Sequence, residues 1–245
     1  MNTKTKPTIL LVHGAFAESS SWDKVISILL AQGYPVVAAA NPLRGLESDA
    51  GYLSTVLSSI EGPVVLVGHS YGGMLITKAP NGHGNVQSLV YVAAFAPDTG
   101  ESAIGLSGRY PGSTLGETVS PVTLPDGSKD LYIQQDKFWA QFAADVPQAD
   151  AQLMAATQRP INDSALNEGA SEPAWRTLPS WFIYGDLDKN IPPAALAFMA
   201  ERAGAREAVV IKGGSHVIMV SHPDEVAKLI VAAASANNMK SVNHK

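Results

Sequence analysis

The 245-residue chain reads as an α/β protein, with a mostly parallel sheet of about six strands and helices on both faces. Three observations carry that reading. Six short apolar segments recur along the chain, several of them apolar throughout, as strands buried on both faces of a parallel sheet are. Segments with helical spacing lie between them. One apolar segment runs straight into a glycine-flanked turn that opens a helix.

The strand candidates are residues 8–12, 35–40, 63–68, 86–94, 180–184 and 207–212. Ser20 and Asp23 have capping-box spacing, and Trp22, Val25, Ile26, Leu29 and Leu30 fall on one helical face before Gly33 stops the segment. A second helix is expected from about Ser48, with Leu53, Val56, Leu57 and Ile60 at helical spacing. A third begins near Ser70 and must break by Pro80. Pro223 opens the last helix, with Asp224 and Glu225 in the first turn, where they complement the dipole. Its expected inner face is Val226, Leu229, Ile230 and Ala233.

The alternation stops between about residues 97 and 177. Residues 105–116 are rich in Gly, Ser and Pro, and Pro125-Asp126-Gly127 has the chemistry of a hairpin turn. Residues 135–144 and 147–157 look helical. An interruption of this size between core strands predicts a cap. The expected division is a core of residues 1–97 and 177–245 and a cap of residues 98–176. The polar tail after Asn237 is expected to fray.

Composition narrows the function classes. The net charge is −5, and no dense Lys/Arg cluster occurs, which argues against a nucleic-acid partner. There is no cysteine, so disulfides, thiolate chemistry and cysteine-based metal sites are excluded. Residues 1–7 do not read as a secretory signal, and no run reaches the roughly 18 apolar residues of a membrane-spanning helix. A cytoplasmic protein without a membrane partner is expected. No cofactor or metal is implied, and the oligomeric state, monomer or homodimer, stays open.

The sequence Val64-Val65-Leu66-Val67-Gly68-His69-Ser70-Tyr71-Gly72-Gly73 contains Gly-x-Ser-x-Gly between an apolar strand and a helical segment. That setting is what a nucleophile elbow requires. A sharp, strained turn exposes the serine hydroxyl, and Gly68 and Gly72 remove Cβ atoms where the helix passes neighbouring strands. The dinucleotide fingerprint Gly-x-Gly-x-x-Gly and the phosphate-binding Gly-Lys-[Ser/Thr] are both absent. Ser70 is therefore the candidate nucleophile.

A serine hydroxyl needs a base. Of six histidines, His13 and His69 lie beside glycines at strand ends, His83 is in a Gly/Asn loop, His222 precedes the last helix and His244 is in the tail. His216 follows a strand and Gly213-Gly214-Ser215, which places it in a loop able to reach over the sheet edge. The chain order Ser, acid, His puts the acid after the preceding strand. Asp188 is the first candidate. Asp186 comes second, its expected role being to cap its own turn, and Asp98 is a more distant third. The backbone N–H groups of Ala15 and Tyr71 are the candidate oxyanion donors. His13 is a candidate for holding the Ala15 loop in shape.

Taken together these residues resemble the α/β-hydrolase family, in a branch with plant methylesterases, hydroxynitrile lyases and uncharacterised bacterial hydrolases. The likeness runs through His13-Gly14-Ala15 with Trp22, Gly68 to Gly73, Val92 to Asp98, Tyr184 to Asp188 and Gly214-Ser215-His216. The resemblance implies that the second aspartate of Gly-Asp-x-Asp, Asp188, is the triad acid. It also implies a cap made of a small sheet plus helices. Hydroxynitrile lyases of this branch carry lysine after the catalytic histidine, where this chain has Val217, so cyanohydrin cleavage is disfavoured. Relatives with an aspartate nucleophile differ at Ser70.

The expectation is a serine hydrolase for a small carboxylic ester or lactone. Acyl transfer, lactone opening or perhydrolysis with the same triad, and a hydrolase-fold ligand receptor, are the competing readings. Phe138, Trp139 and Phe142 make the cap locally aromatic, with packing onto the core as their expected role.

Overall fold

The computed structural model describes residues 5–236; the first four residues and the tail with His244 lie outside them. The first part of the chain runs β1 (Thr8–Val12), α1 (Asp23–Ala31), β2 (Val36–Ala39), α2 (Leu46–Ser58), β3 (Val64–His69), α3 (Gly72–Lys78) and β4 (Val86–Val92). An insertion follows, with α4 (Ala103–Ser107), β5 (Val119–Thr123), β6 (Lys129–Ile133), α5 (Gln135–Phe142), α6 (Gln148–Thr157), β7 (Ile161–Asn162) and α7 (Asp163–Asn167). The chain then closes with β8 (Ser180–Gly185), α8 (Pro193–Arg202), β9 (Glu207–Ile211), α9 (Ile218–Ser221) and α10 (Pro223–Ala236).

Six strands form one sheet in the order β2-β1-β3-β4-β8-β9, and every pairing is parallel. The four central strands are mostly apolar and almost wholly buried because both of their faces are covered. The edge strands β2 and β9 are partly exposed, Val210 by 52%. Strand β4 shows the two layers directly. Ser88 donates to the Ala233 carbonyl of α10, while Tyr91, three residues on and facing the other way, hydrogen-bonds Thr77 of α3 at 2.9 Å. Helix α10 buries Val226, Leu229, Ile230 and Ala233, the face expected of it.

The capping box expected at Ser20 and Asp23 does not form. Residues Ser19–Trp22 make a turn of 3-10 helix, α1 starts at Asp23, and no side chain caps it. Burial of Trp22 (0% exposed) decides the entry angle here, so tertiary packing overrides the local signal. In the insertion, Asp126 Oδ1 accepts from the amide and hydroxyl of Ser128, and Gly127 has φ +86°, closing the β5–β6 hairpin at the expected turn. Strand β7 completes a three-stranded antiparallel sheet. Several elements have no counterpart among the sequence-based expectations: α4, capped by Ser102, the two-residue β7, and α7, α8 and α9.

The sheet order places a topological switch between β1 and β3, since the chain leaves β1 toward β2 and returns on its other side. Crevices outside the carboxyl ends of strands at such a point are where open parallel sheets hold ligands. The loops holding Ala15 and Ser70 leave β1 and β3 at that edge.

Candidate active site

Ser70 follows β3 directly and has φ +52°, a left-handed conformation that costs a non-glycine residue about 1–3 kcal/mol. Surrounding bonds hold it there. Its amide donates to Val92 O (3.3 Å), and its carbonyl accepts from Gly73 N (3.0 Å) and Phe95 N (3.2 Å). Space is equally constrained. A Cβ on Gly68 would stand 2.7 Å from Gly72 O, and one on Gly72 would collide with the Val12 carbonyl. Phe16 (φ +59°) and Ala93 (φ +43°), after β1 and β4, are also left-handed, so backbone strain gathers at this edge of the sheet.

His216 and Asp188 meet at the ends of β9 and β8. The strands bring their loops together: Asp186 N donates to Ile211 O and Leu187 N to Gly214 O. His216 Nδ1 lies 2.6 Å from Asp188 Oδ2, with the two side chains 1% and 0% exposed. A carboxylate only accepts, so Nδ1 carries the proton and Nε2 is left with its lone pair. The other Asp188 oxygen accepts from the amides of Asn190 (2.8 Å) and Ile191 (3.0 Å), which fixes the carboxylate plane. Asp186 is exposed and accepts from Gly213 N at 2.6 Å, pinning the loop ahead of His216, not capping its own turn. Asp98 pairs with Arg176 away from this cluster.

Two further histidines are structural neighbours of the site. His69 Nε2 donates to the His216 carbonyl (3.0 Å), so His69 is the Nε2–H tautomer. Burial, and then the neighbouring His216 ring, hold its pKa well below the usual value of 6.5. His13 accepts from Asn41 N through Nε2 (3.0 Å) and donates through Nδ1 to Gly14 O, while Asn41 Nδ2 returns a bond to His13 O. Burial lowers its pKa too. This double contact fixes the loop after β1. Within that loop the Phe16 amide donates to Arg159 O, whereas the amides of Ala15 and Tyr71 have no protein acceptor among the described residues. The Tyr71 hydroxyl reaches Asp49 Oδ2 (3.1 Å), anchoring the residue after Ser70.

Ser70, His216, Ala15 and Tyr71 share the floor of a cavity of about 340 Å³. Its walls include Ile104, Leu115, Val119, Leu131, Leu166 and Ile191, and no Lys, Arg, Asp or Glu lines it. The lining on the far side from the sheet comes from the insertion. A second cavity of about 380 Å³ shares Phe16 with it but is lined by Glu18, Asp23, Lys24 and Asp150, with no serine–histidine pair. Of the insertion's aromatic cluster, Phe138 and Phe142 are fully buried and Trp139 is 39% exposed. The Phe142 ring packs 5.1 Å from the His216 ring. Among the described residues no group of three or more His, Asp or Glu side chains is arranged to hold a metal ion, and no helix is long and apolar enough to cross a membrane.

Sequence reasoning missed Asn41, Gln141 and Asp145, whose side chains hold the loops of this site. None carries a local signal, because each acts on a segment remote in sequence.

A strained serine between β3 and α3, with a histidine and an aspartate after later strands, defines the class of α/β hydrolases. The profile of the Alpha/beta hydrolase family matches residues 9–229, and the chain belongs to that family. It is 24% identical to the alpha-hydroxynitrile lyase of Arabidopsis thaliana over 252 residues, which cover 94% of this chain and 98% of that one. Methylesterase 1 of the same plant is 24% identical over 259 residues, with 94% and 97% coverage. The crystal structure of polyneuridine aldehyde esterase superposes with a TM-score of 0.80 at 22% identity, covering 93% of this chain and 98% of that one.

Proposed function

We propose that the chain is a serine hydrolase cleaving a small, neutral carboxylic ester through an acyl-enzyme on Ser70. The observation that carries this reading is the shared floor of one uncharged cavity, where Ser70 in its strained turn accompanies His216, itself bonded to Asp188. In the proposed cycle, His216 Nε2 takes the Ser70 proton as Oγ attacks the ester carbonyl, and then delivers it to the leaving alcohol. Asp188 keeps the imidazole in the required tautomer and stabilises the imidazolium. The amides of Ala15 and Tyr71 receive the oxyanion, which their lack of protein acceptors supports. Water then enters by the same base and releases the acid.

The substrate class follows from the cavity. With no fixed charge in its wall, desolvating an ionic substrate there would go uncompensated, whereas an apolar ester loses little. Residues 98–176 are read as the cap that selects it, over a core of residues 1–97 and 177–245. Val217, next to His216, is fully buried, and cyanohydrin cleavage, disfavoured on the resemblance, is not the reading.

The test is hydrolysis of p-nitrophenyl acetate together with fluorophosphonate labelling. The wild type should turn over the ester and be labelled at Ser70. Ser70→Ala should lose several orders of magnitude in turnover and all labelling. Equal turnover by folded Ser70→Ala refutes the assignment.

A further inference from the structure

The insertion grips both loops that carry Asp188 and His216; Ser107, Ser113 and Thr114 hold only the first, whereas the end of α5 and the turn after it reach both. Gln141 Nε2 donates to Lys189 O (3.0 Å) and Asn190 Oδ1 (2.7 Å), on the turn that follows Asp188, and Lys189 Nζ returns a bond to Ala140 O (3.1 Å). Four residues on, Asp145 spans the base. Its Oδ2 accepts from Ser215 N (3.0 Å) and Ser221 Oγ (2.7 Å), its Oδ1 from Ser215 Oγ, and His222 Nε2 lies 3.6 Å from Oδ2. Ser215 immediately precedes His216. Ser221 and His222 end the short helix that follows it.

We propose that Asp145 is a positioning residue for His216, and that the α5–α6 turn is a fixed brace of the base instead of part of a lid that swings clear. The inference rests on the hydrolase reading above. The sheet side of the His216 loop is held by the His69 bond to the His216 carbonyl. Ahead of His216, Gly213 N donates to Asp186 and Gly214 O accepts from Leu187 N, so the β8 turn holds the approach. Asp145 adds the restraint on the insertion side, joining the residue before His216 to the turn after it. Two hydroxyls and an amide converging on one carboxylate satisfy that partly buried acceptor and tie three chain segments together. Catalytic groups tolerate displacements of well under 1 Å, so the brace acts on turnover without touching substrate.

The experiment compares wild type, Asp145→Asn and Asp145→Ala. Asp145→Asn keeps the shape but replaces one acceptor oxygen with a donor that faces the Ser215 or Ser221 donors. Three quantities are read: kcat and KM for p-nitrophenyl acetate, the rate constant for fluorophosphonate labelling of Ser70, and amide hydrogen exchange over residues 214–222, each normalised to folded protein. Loss of the brace should lower kcat and the labelling rate together by about 10- to 100-fold, with KM within about threefold, and accelerate exchange in the segment. Asp145→Ala combined with Ser215→Ala should lose no more than Asp145→Ala alone, since both remove one interaction. A labelling rate within twofold of wild type, a rise in KM alone, or unchanged exchange overturns the proposal. If wild type is not labelled, the hydrolase reading fails, and the brace is still decided by exchange in Asp145→Asn.

Discussion

Gly14→Ala is a one-methyl perturbation aimed at the space between the first loop and Ser70, the proposed nucleophile. A Cβ at position 14 would lie 2.5 Å from Ser70 Cβ and 2.8 Å from His69 O, where ordinary contact begins near 3.4 Å. One side must yield by about 1 Å. The first loop is held by the paired His13–Asn41 bonds and by Phe16 N on Arg159 O, and Ser70 by its bonds to β4 and α3. Neither partner is a flexible side chain, so the displacement falls on Ser70 and on the Ala15 amide. Misplacement of reacting groups by 1 Å costs about 100-fold in rate. Overpacking a close-packed site costs about 1–3 kcal/mol in stability. The assay is ester turnover per folded molecule, with the folded fraction taken from urea unfolding. Gly14→Ala with turnover within threefold of wild type and an unchanged unfolding midpoint would refute the reasoning, because it would mean the loop and the elbow are not in contact.

The two aspartates after β8 should separate by rate. Asp188→Asn is expected to lower kcat by about 10⁴-fold by disfavouring the tautomer that His216 needs, and Asp186→Asn by less than tenfold, since that carboxylate only pins Gly213; equal losses would contradict the assignment. His13 and His69 are held neutral in the fold by burial, while an unfolded chain protonates them below 6.5. The unfolded state therefore binds more protons below that pH, and stability should fall on acidification from 6.5 toward the lowered folded values, by up to about 1.4 kcal/mol per pH unit for each histidine. Asp49, whose carboxyl burial raises above its usual 3.8, acts in the opposite sense at lower pH. Melting curves from pH 8 to pH 5 check this, and His69→Gln should flatten them. Gly51→Ala on the exposed side of α2 meets nothing within 4 Å and should stabilise the fold by about 1 kcal/mol, read as a higher urea midpoint at equal activity.

What the sequence discloses depends on how local each interaction is. Central strands are covered on both faces, so β3 reads as Val64-Val65-Leu66-Val67 whatever packs on it. The elbow is legible for a related reason: strand, turn and helix meet within ten residues, and the crowding that excludes Cβ atoms at Gly68 and Gly72 is between chain neighbours and β1. The order of Asp188 before Asp186 rests in the sequence on turn position, with the family resemblance in support, because which carboxylate turns inward depends on the amides of Asn190 and Ile191 and on a histidine 28 residues away. Trp22 shows the opposite failure, where a local capping pattern was overruled by burial of one large ring.

The insertion is the least legible region for a physical reason. Phe138 and Phe142 pack onto the core as expected while Trp139 is 39% exposed, and the polar residues act at long range: Gln141 reaches Asn190 across 49 positions and Asp145 reaches Ser215 across 70. No periodicity or turn chemistry registers such pairs, and an exposed-looking aspartate after a helix reads as a solvated turn. On the proposed mechanism these contacts bear on the chemistry, because Asp145 bonds Ser215 and Ser221, which stand on either side of His216. A loop that reaches over the edge of the sheet is held in part by what lies above it. Ester turnover should therefore fall more on substitution at position 145 than at the exposed Asp126, whose carboxylate serves only its own hairpin turn.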